Sequence, residues 1–309
     1  GVDGFRVDMA SSLVKDGKRF DGEKAFEDTD EGLEGIKWLW NEILGTLRKE
    51  YKDRVYMAEW VVPQDSVGKC GFDTDFLTHD TFAFNSLYRN EKNNNLSTYY
   101  ERGFNYFSEE GKGDINEFIK YAEFLYGKLE NKGMFVAPTG THDEIRMATG
   151  KSVAVVKTIF AFLLTIKNIP MIYYGDELGI EHTFGINKDG GSVRTGARTP
   201  MLWTEERNGG FSLKRTTYLP ITSQKGISVA SQKENERSLL NSVKKLIKIR
   251  KEQECFNVGA SQKFIETGYP VIYERGNGKK TAIVMINPSD KTFKRKVKYS
   301  EILIKENSE

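Results

Sequence analysis

The chain has few of the residues that build metal sites and disulfide frameworks. Its 309 residues include only two cysteines and three histidines. Cys70 and Cys255 form neither a disulfide pattern nor a metal-ligand spacing, and so few thiols and imidazoles argue against a transition-metal site. Two ordinary thiols are typical of a protein from a reducing compartment, so the cytoplasm is the expected location.

An excess of charge of one sign and long apolar runs are also lacking. The 46 basic and 44 acidic residues leave a net charge of +2. This balance gives no electrostatic reason to expect binding to nucleic acid or to a membrane surface. No stretch approaches the ~20 apolar residues that a transmembrane helix needs. With 38% hydrophobic and 29% charged residues, the composition is typical of a globular protein with one large domain and a small one.

Strand and helix patterns alternate through the first 250 residues. Strands are indicated by short apolar runs, and helices by apolar side chains that recur every three or four positions. Helices are predicted at 31–50, Ile115–Leu129, Val153–Thr165 and Ser238–Arg250, and strands at Val2–Asp8, Val55–Ala58, Gly71–Leu77, Met134–Ala137 and Ile169–Tyr174. This alternation is typical of parallel βαβ units, so the predicted class is α/β.

A different pattern begins near residue 254. Short strands separated by turn residues are predicted at Phe264–Ile265, Val271–Tyr273, Ala282–Ile286 and Phe293–Val297. Closely spaced short strands of this kind indicate a small antiparallel sheet. We therefore predict two domains, residues 1–254 and residues 255–309, of which the second could continue past Glu309.

Three acidic residues, Asp8, Glu59 and Asp143, each follow an apolar, strand-like run. Catalytic residues at the ends of several strands are typical of a parallel α/β barrel. Arg6 lies on the same side of its strand as Asp8 because side chains alternate, and its guanidinium favours the ionised form of that carboxylate. Simpler interpretations stay open. Asp8 could cap the following loop, Glu59 could be a surface acid, and His142 could be an ordinary loop histidine.

Longer motifs surround these acids. They are Gly4-Phe5-Arg6-Val7-Asp8, Ala58-Glu59, His142-Asp143 followed by Arg146, Tyr173-Tyr174-Gly175-Asp176-Glu177-Leu178-Gly179, Arg198-Thr199-Pro200-Met201-Leu202-Trp203 and Gly209-Gly210-Phe211-Ser212. In this order and spacing, the motifs resemble those of the alpha-amylase superfamily of retaining glycoside hydrolases. Each motif alone is weak, but their combination is specific, and the resemblance covers the chain from Gly1 to about Arg250.

The resemblance implies a role for each of five residues. Asp8 would be the nucleophile that forms a covalent glucosyl intermediate, and Glu59 the acid that protonates the leaving oxygen and then activates water. Apolar neighbours would help to keep Glu59 protonated. Asp143 would bind sugar hydroxyls and stabilise the oxocarbenium-like transition state. His142 would donate to hydroxyls of the same sugar, and Arg6 would keep Asp8 ionised.

Residues near these motifs bear on specificity. Ser11 and Ser12 stand where endo-acting amylases of the superfamily usually carry Lys-His. The block around Arg198 resembles the α-glucosidase, oligo-1,6-glucosidase and trehalose synthase branch, in which the arginine binds at the non-reducing end of the first sugar. A loop-stapling ion pair is the alternative role of Arg198. Thr141 and Leu202 depart from this branch, which usually carries Asn and Gln there.

The resemblance implies a fold that is the second half of a (β/α)8 TIM barrel, followed by the small antiparallel β domain. The chain begins on the first catalytic strand, so we expect three further strands and an insertion domain to precede it in the complete protein. Calcium could bind through residues of that preceding part, and no other cofactor is expected. We expect residues 1–309 alone to be inactive or nearly so, because a half barrel exposes two strand edges.

The implied activity is retaining hydrolysis of α-glucosidic bonds in short oligosaccharides, from the non-reducing end. The expected substrates are α-glucans or malto- and isomalto-oligosaccharides. A transglucosylase or isomerase such as trehalose synthase is an alternative, because it differs only in what attacks the intermediate. An endo-acting alpha-amylase also stays open, as does a sugar-binding barrel without catalytic activity.

Overall fold

The computed structural model of the protein describes residues 1–14, 30–78, 81–89, 104–188, 192–296, 298 and 300–305. Its contacts divide the chain into two compact units. The first comprises Gly1–Asn85, Asn116–Pro138 and Asn168–Met171, and the second comprises Ser86–Ile115, Thr139–Lys167 and Ile172–Glu309.

A five-stranded parallel sheet forms the centre of the first unit. Its strands are β1 (Gly4–Val7), β2 (Val55–Ala58), β3 (Thr74–Phe76), β4 (Met134–Pro138) and β5 (Ile169–Met171). Each strand pairs with the next one along the chain. The predicted parallel sheet is confirmed, and this order is typical of βαβ units in a TIM barrel. The strands predicted at 71–77 and 169–174 are shorter in the structure than the apolar runs suggested.

The α-helices of the described residues are α1 (Asp30–Glu50), α2 (Pro63–Cys70), α3 (Phe82–Asn85), α4 (Asn116–Lys128), α5 (Val153–Thr165), α6 (Ser192–Thr195), α7 (Val229–Lys233) and α8 (Leu239–Glu252). The four helices predicted from periodicity are confirmed as α1, α4, α5 and α8. Helices α2, α3, α6 and α7 are too short for a periodic pattern to identify them. No helix in the described ranges is both long enough and apolar enough to cross a membrane.

Burial within the parallel sheet is uneven. Strands β3 and β4 are buried at every residue, whereas Phe5 in the outer strand β1 is 54% exposed. Helix α1 buries Ile36, Trp40 and Leu44, which share one helix face because they are four residues apart. Trp40 donates its indole Nε1–H to the carbonyl of Ala10 at 2.8 Å, so α1 also anchors the turn that follows β1.

The second unit contains an antiparallel sheet of β6 (Ser261–Thr267), β7 (Val271–Gly276) and β8 (Thr281–Ile286). Three of the four strands predicted beyond residue 254 are therefore confirmed. The prediction of a strand at Phe293–Val297 is wrong, because residues 293–296 form none and Val297 lies outside the described residues. The domain boundary near residue 254 stays a prediction.

A fully buried arginine ties this small sheet to neighbouring segments of its own unit. The guanidinium of Arg275 in β7 donates to the carbonyls of Thr165 at 2.6 Å, Asn257 at 2.7 Å and Ser261 at 3.1 Å. By contrast, Arg295 pairs with Glu266 at 2.8 Å, and both side chains are partly exposed. Arg275 is therefore a buried anchor, whereas Arg295 belongs to a surface ion pair.

Replacing Arg275 by Met should lower the free energy of unfolding by several kcal/mol, because hydrogen bonds to charged groups each contribute about 1.5–3 kcal/mol. Arg295→Met is the matched control and should change stability little, since exposed ion pairs contribute little. Urea unfolding of both variants of the full-length protein at neutral pH measures the difference. Equal losses in the two variants would contradict the anchoring role of Arg275.

His182 is a buried histidine of the second unit. It is 6% exposed, and neither ring nitrogen has a hydrogen-bond partner among the described residues. Burial, with a smaller effect from the charge of Arg146, lowers the pKa of His182 from 6.5 to about 4. The unfolded chain therefore takes up a proton here at a higher pH than the folded protein does. The contribution of neutral, buried His182 to folding stability is complete above pH 6.5 and is lost as the pH falls toward 4.

His182→Leu should remove this pH dependence, because leucine is of similar size and cannot be protonated. Between pH 7 and pH 4.5 the wild type should lose up to about 3 kcal/mol more stability than the variant. Urea unfolding across this pH range tests the prediction, and parallel curves for wild type and His182→Leu would refute it.

Candidate active site

Arg6, Asp8 and Glu59 come together at the carboxyl ends of β1 and β2. The register pairs Val7 with Ala58, so Asp8 and Glu59 each directly follow a strand at the same edge of the sheet. One nitrogen of Arg6, Nη1, donates to Asp8 Oδ1, and the other, Nη2, lies 2.5 Å from Glu59 Oε1. Sequence reasoning paired Arg6 with Asp8 alone, whereas the structure shares its guanidinium between two carboxylates.

The two carboxylates have different surroundings. The Asp8 side chain is 74% exposed, and that of Glu59 is 21% exposed. Glu59 Oε2 accepts a hydrogen bond from the backbone amide of Met9 at 3.0 Å, a residue in the left-handed conformation with φ 47°. The backbone of Glu59 is bonded on both sides, from its amide to Val7 and from Ala10 to its carbonyl. Glu59 is therefore the more enclosed and more firmly held of the two acids.

Asp75 lies in β3 opposite Ala58, the residue before Glu59, and its carboxylate is completely buried. It accepts hydrogen bonds from the amides of Trp60, Val61 and Val62, the three residues that follow Glu59. Burial raises the pKa of Asp75 to about 6, although hydrogen bonds from the Ser66 hydroxyl and from the amides of Trp60, Val61 and Phe76 oppose the rise. Sequence analysis missed Asp75, because a single acid in an apolar run gives no sign of the donors that fold around it.

The other three candidates, His142, Asp143 and Arg198, come together in the second unit. Asp143 Oδ1 accepts from Arg194 Nε at 2.6 Å and from Arg198 Nη2 at 2.8 Å. Arg198 Nε also donates to the carbonyl of His142 at 2.9 Å, and His142 Nε2 lies 3.4 Å from Asp143 Oδ2. These are the contacts of a loop-stapling pair, and the sugar-binding role of Arg198 stays a prediction. Sequence analysis missed Arg194, whose only signal is its position four residues before Arg198.

The arginines keep Asp143 ionised. Burial alone would raise the pKa of Asp143, but hydrogen bonds from Arg194 and Arg198 and the neighbouring His142 outweigh burial and hold the pKa below its usual value. The backbone amide of Asp143 donates to Thr141 Oγ1 at 3.1 Å. Thr141, a departure from the related branch, thus stabilises the turn that presents Asp143.

Two buried ion pairs support this turn from within the second unit. Arg89 lies 3.4 Å from Glu144 and donates to the carbonyls of residues 139 and 145. Arg146 Nη1 donates to Asp176 Oδ1 at 3.1 Å and to the carbonyl of Tyr174. Arg146 is therefore a structural ion-pair partner of Asp176. Thr139 completes the second pair, because its hydroxyl donates to Asp176 Oδ2 at 2.7 Å.

The departure at Leu202 has a structural explanation. Leu202, the second departure, is 5% exposed and packs with Leu178, Ile180 and Leu240 in a hydrophobic cluster. Gly209 has φ 61°, and a Cβ there would lie 2.8 Å from the side chain of Leu202. His79, the remaining histidine of the chain, lies outside the described residues.

Metal-ligand clusters do not occur in the part of the chain that the structure describes, where no three His, Cys, Asp or Glu side chains lie together. The expectation of calcium concerned residues outside this chain and stays untested. Both cysteines are buried and unbonded to one another.

Comparison with known proteins identifies the family. A sequence model of the alpha amylase catalytic domain matches residues 1–259. Alpha-glucosidase from Apis mellifera is 26% identical over 276 residues, which are 81% of this chain and 45% of that protein. Trehalose synthase/amylase from Mycobacterium tuberculosis is 26% identical over 147 residues, which are 45% of this chain and 24% of that protein.

Solved structures show the same fold. Isomaltulose synthase from Erwinia rhapontici aligns with 93% of this chain and 57% of its own, with a TM-score of 0.69 at 21% identity. The chain thus spans less than two thirds of the length of each of these three proteins. The matched catalytic domain and the parallel sheet lead to one conclusion: the chain belongs to the alpha-amylase family and has that family's TIM-barrel fold, with a separate small antiparallel sheet.

Proposed function

We propose that the protein is a retaining glycoside hydrolase that cleaves α-glucosidic bonds in short oligosaccharides from the non-reducing end. The sharing of the Arg6 guanidinium by Asp8 and Glu59 is the observation that carries this proposal. Retention requires a nucleophilic carboxylate and an acid close together, on opposite sides of the bond that breaks. One guanidinium bound to both carboxylates holds them near each other at the ends of adjacent strands.

The proposed reaction has two steps. In the first, an Asp8 oxygen attacks the anomeric carbon while the bond to the leaving oxygen breaks, and Glu59 gives its proton to that oxygen. In the second, Glu59 takes a proton from water, and the water oxygen attacks the anomeric carbon and releases Asp8. Two inversions give net retention of the anomeric configuration. The exposure of Asp8 suits a group that must reach the substrate, and the hydrogen bond from the Met9 amide holds Glu59 in place at the end of the neighbouring strand.

The bridging position of Arg6 matches the movement of charge in this reaction. Before the first step the negative charge resides on Asp8 and Glu59 carries a proton. After it, Asp8 is a neutral ester and Glu59 is ionised. Because Arg6 contacts both carboxylates, its positive charge compensates whichever one is ionised.

The proposal assigns substrate binding to the residues of the second unit. Asp143 is held ionised by Arg194 and Arg198 and would accept hydrogen bonds from two sugar hydroxyls. His142, whose side chain is half exposed, would donate to a hydroxyl of the same ring. Arg198 would contribute through the same cluster, with loop stapling as its alternative role.

A transglucosylase or isomerase is the second candidate. The likeness to a trehalose synthase/amylase favours it, and the chemistry of the first step is the same for both activities. They differ in whether water or a sugar hydroxyl attacks the glucosyl ester. A binding protein without catalysis is less compatible with the site, because it has no need for two acids on one guanidinium.

Variants of the two acids should distinguish the role of the nucleophile from that of the proton donor. In the full-length protein, Asp8→Asn should reduce turnover by at least about 10³-fold on any substrate, because no ester can form. Glu59→Gln should reduce maltose cleavage by about 10²–10⁴-fold. In the same Glu59→Gln variant, the release of dinitrophenolate from 2,4-dinitrophenyl α-glucoside in the first turnover should fall much less, since that leaving group needs no proton.

Glu42→Gln, an exposed change on α1, is the matched control and should leave both substrates unaffected. Stopped-flow absorbance measures the first turnover, and glucose assay measures maltose cleavage. Normal turnover by Asp8→Asn would exclude Asp8 as the nucleophile. Equal losses on both substrates in Glu59→Gln would exclude Glu59 as the acid.

The products distinguish hydrolysis from transfer. With maltose, isomaltose and maltotriose we expect glucose released first as the α-anomer, which proton NMR detects before mutarotation. Trehalose or another isomer of maltose as the main product would instead establish the isomerase alternative. Long internal fragments from starch would reject cleavage from the non-reducing end.

A further inference from the structure

The buried carboxylate of Asp75 collects an unusual number of hydrogen bonds. Asp75 Oδ1 accepts from the amides of Trp60 at 3.0 Å and Val61 at 3.1 Å. Oδ2 accepts from the amide of Val62 at 3.1 Å and from the hydroxyl of Ser66 at 2.6 Å. Three consecutive backbone amides thus point at one carboxylate, an arrangement that fixes the path of the turn between β2 and α2.

This turn is strained. Val61 has φ 68°, a left-handed conformation that is disfavoured for a residue branched at Cβ. Such conformations cost of order 1–3 kcal/mol and persist only where surrounding contacts determine them. The hydrogen bonds from Val61 and its two neighbours to Asp75 are the contacts that do so here.

The turn begins at the candidate acid. The amide of Trp60 belongs to the peptide group that follows Glu59, so Asp75 holds the backbone directly after Glu59. On the other side, the amide of Glu59 donates to the carbonyl of Val7 in β1 at 2.9 Å. Glu59 is therefore fixed between a strand partner and a buried carboxylate, and the direction of its side chain depends on both.

We propose that Asp75 is a positioning residue for Glu59: by holding the Trp60–Val62 turn, it directs the Glu59 carboxyl toward the leaving oxygen. This inference rests on the proposed function, in which Glu59 supplies the proton. Asp75 itself, completely buried, does not contact the substrate. Its loss should therefore impair proton delivery in particular, and not every step of the reaction.

Asp75→Asn is the direct test, because the side chain keeps its shape while one oxygen becomes an NH₂ group that faces N–H donors. Asp73→Asn is the matched control. Asp73 accepts from the amide of Tyr56 at 2.7 Å and pairs with Arg48 at 2.9 Å. It precedes β3 and contacts the beginning of β2, so it supports the same two strands at their amino ends.

Maltose and 2,4-dinitrophenyl α-glucoside are compared in the full-length protein. Asp75→Asn should lower kcat on maltose by about 10–100-fold and first-turnover release of dinitrophenolate by less than about 3-fold, with little change in KM. Asp73→Asn should affect both substrates alike. Losses of equal size on both substrates in Asp75→Asn would overturn the positioning role and leave Asp75 as a structural residue.

Two further measurements keep the test decisive. Ser66→Ala removes one donor to Asp75 and keeps the carboxylate. It should show the same preference for the activated substrate in weaker form, and it replaces Asp75→Asn as the test if that variant does not fold. Hydrogen exchange at the Trp60–Val62 amides should accelerate in Asp75→Asn and stay protected in Asp73→Asn. Unchanged protection of these amides in Asp75→Asn would also refute the proposal.

Glu59→Gln, measured beside these variants, distinguishes the two levels of inference. If Glu59→Gln selectively loses maltose cleavage and Asp75→Asn does not, the positioning role is wrong and the proposed function stands. If Glu59→Gln loses both substrates equally, the assignment of the acid is wrong and the role of Asp75 in directing it is refuted with it.

Discussion

The candidate catalytic chemistry depends on one guanidinium shared by two carboxylates. Arg6 lies in β1, and it contacts Asp8, which directly follows β1, and Glu59, which directly follows β2. This sharing is possible only because parallel pairing brings the carboxyl ends of β1 and β2 to the same edge of the sheet. A slip of one residue in this register would turn Arg6 and Asp8 away from Glu59. The hydrogen-bond ladder of the two strands therefore determines the charge arrangement of the site.

Both units hold their candidate site residues by buried carboxylates. In the first, Asp75 accepts three backbone amides of the turn after Glu59. In the second, Asp176 accepts from Thr139 and Arg146 on either side of His142 and Asp143. Burying a carboxylate is costly unless donors surround it, so each one commits nearby backbone and side chains to a single geometry. Strain such as that of Val61 can persist in a turn held in this way.

The sequence was sufficient for elements whose pattern is local. Helix α5 could be predicted at its observed ends, because its apolar residues follow one another closely in the chain. Contacts between distant residues could not be predicted. Period two places Arg6 beside Asp8 but says nothing of Glu59, 53 positions later along the chain, and Arg194 carries no local sign that it binds Asp143. The failed prediction at Phe293–Val297 has the same cause. Alternation there indicates a strand, but a strand also needs a partner to which it can hydrogen-bond.

The contacts of Glu59 bear on the proton transfer in the proposed reaction. Oε1 faces Arg6, and Oε2 accepts the amide of Met9, so both oxygens meet donors. The proton that Glu59 delivers in the proposed first step would occupy a further lone pair of an oxygen that already accepts from Arg6 or Met9. Of these two donors, Arg6 also binds Asp8 through its other terminal nitrogen, whereas the Met9 amide is fixed in the backbone. In the proposed reaction, proton transfer by Glu59 and the charge on Asp8 would therefore be coupled through the same arginine.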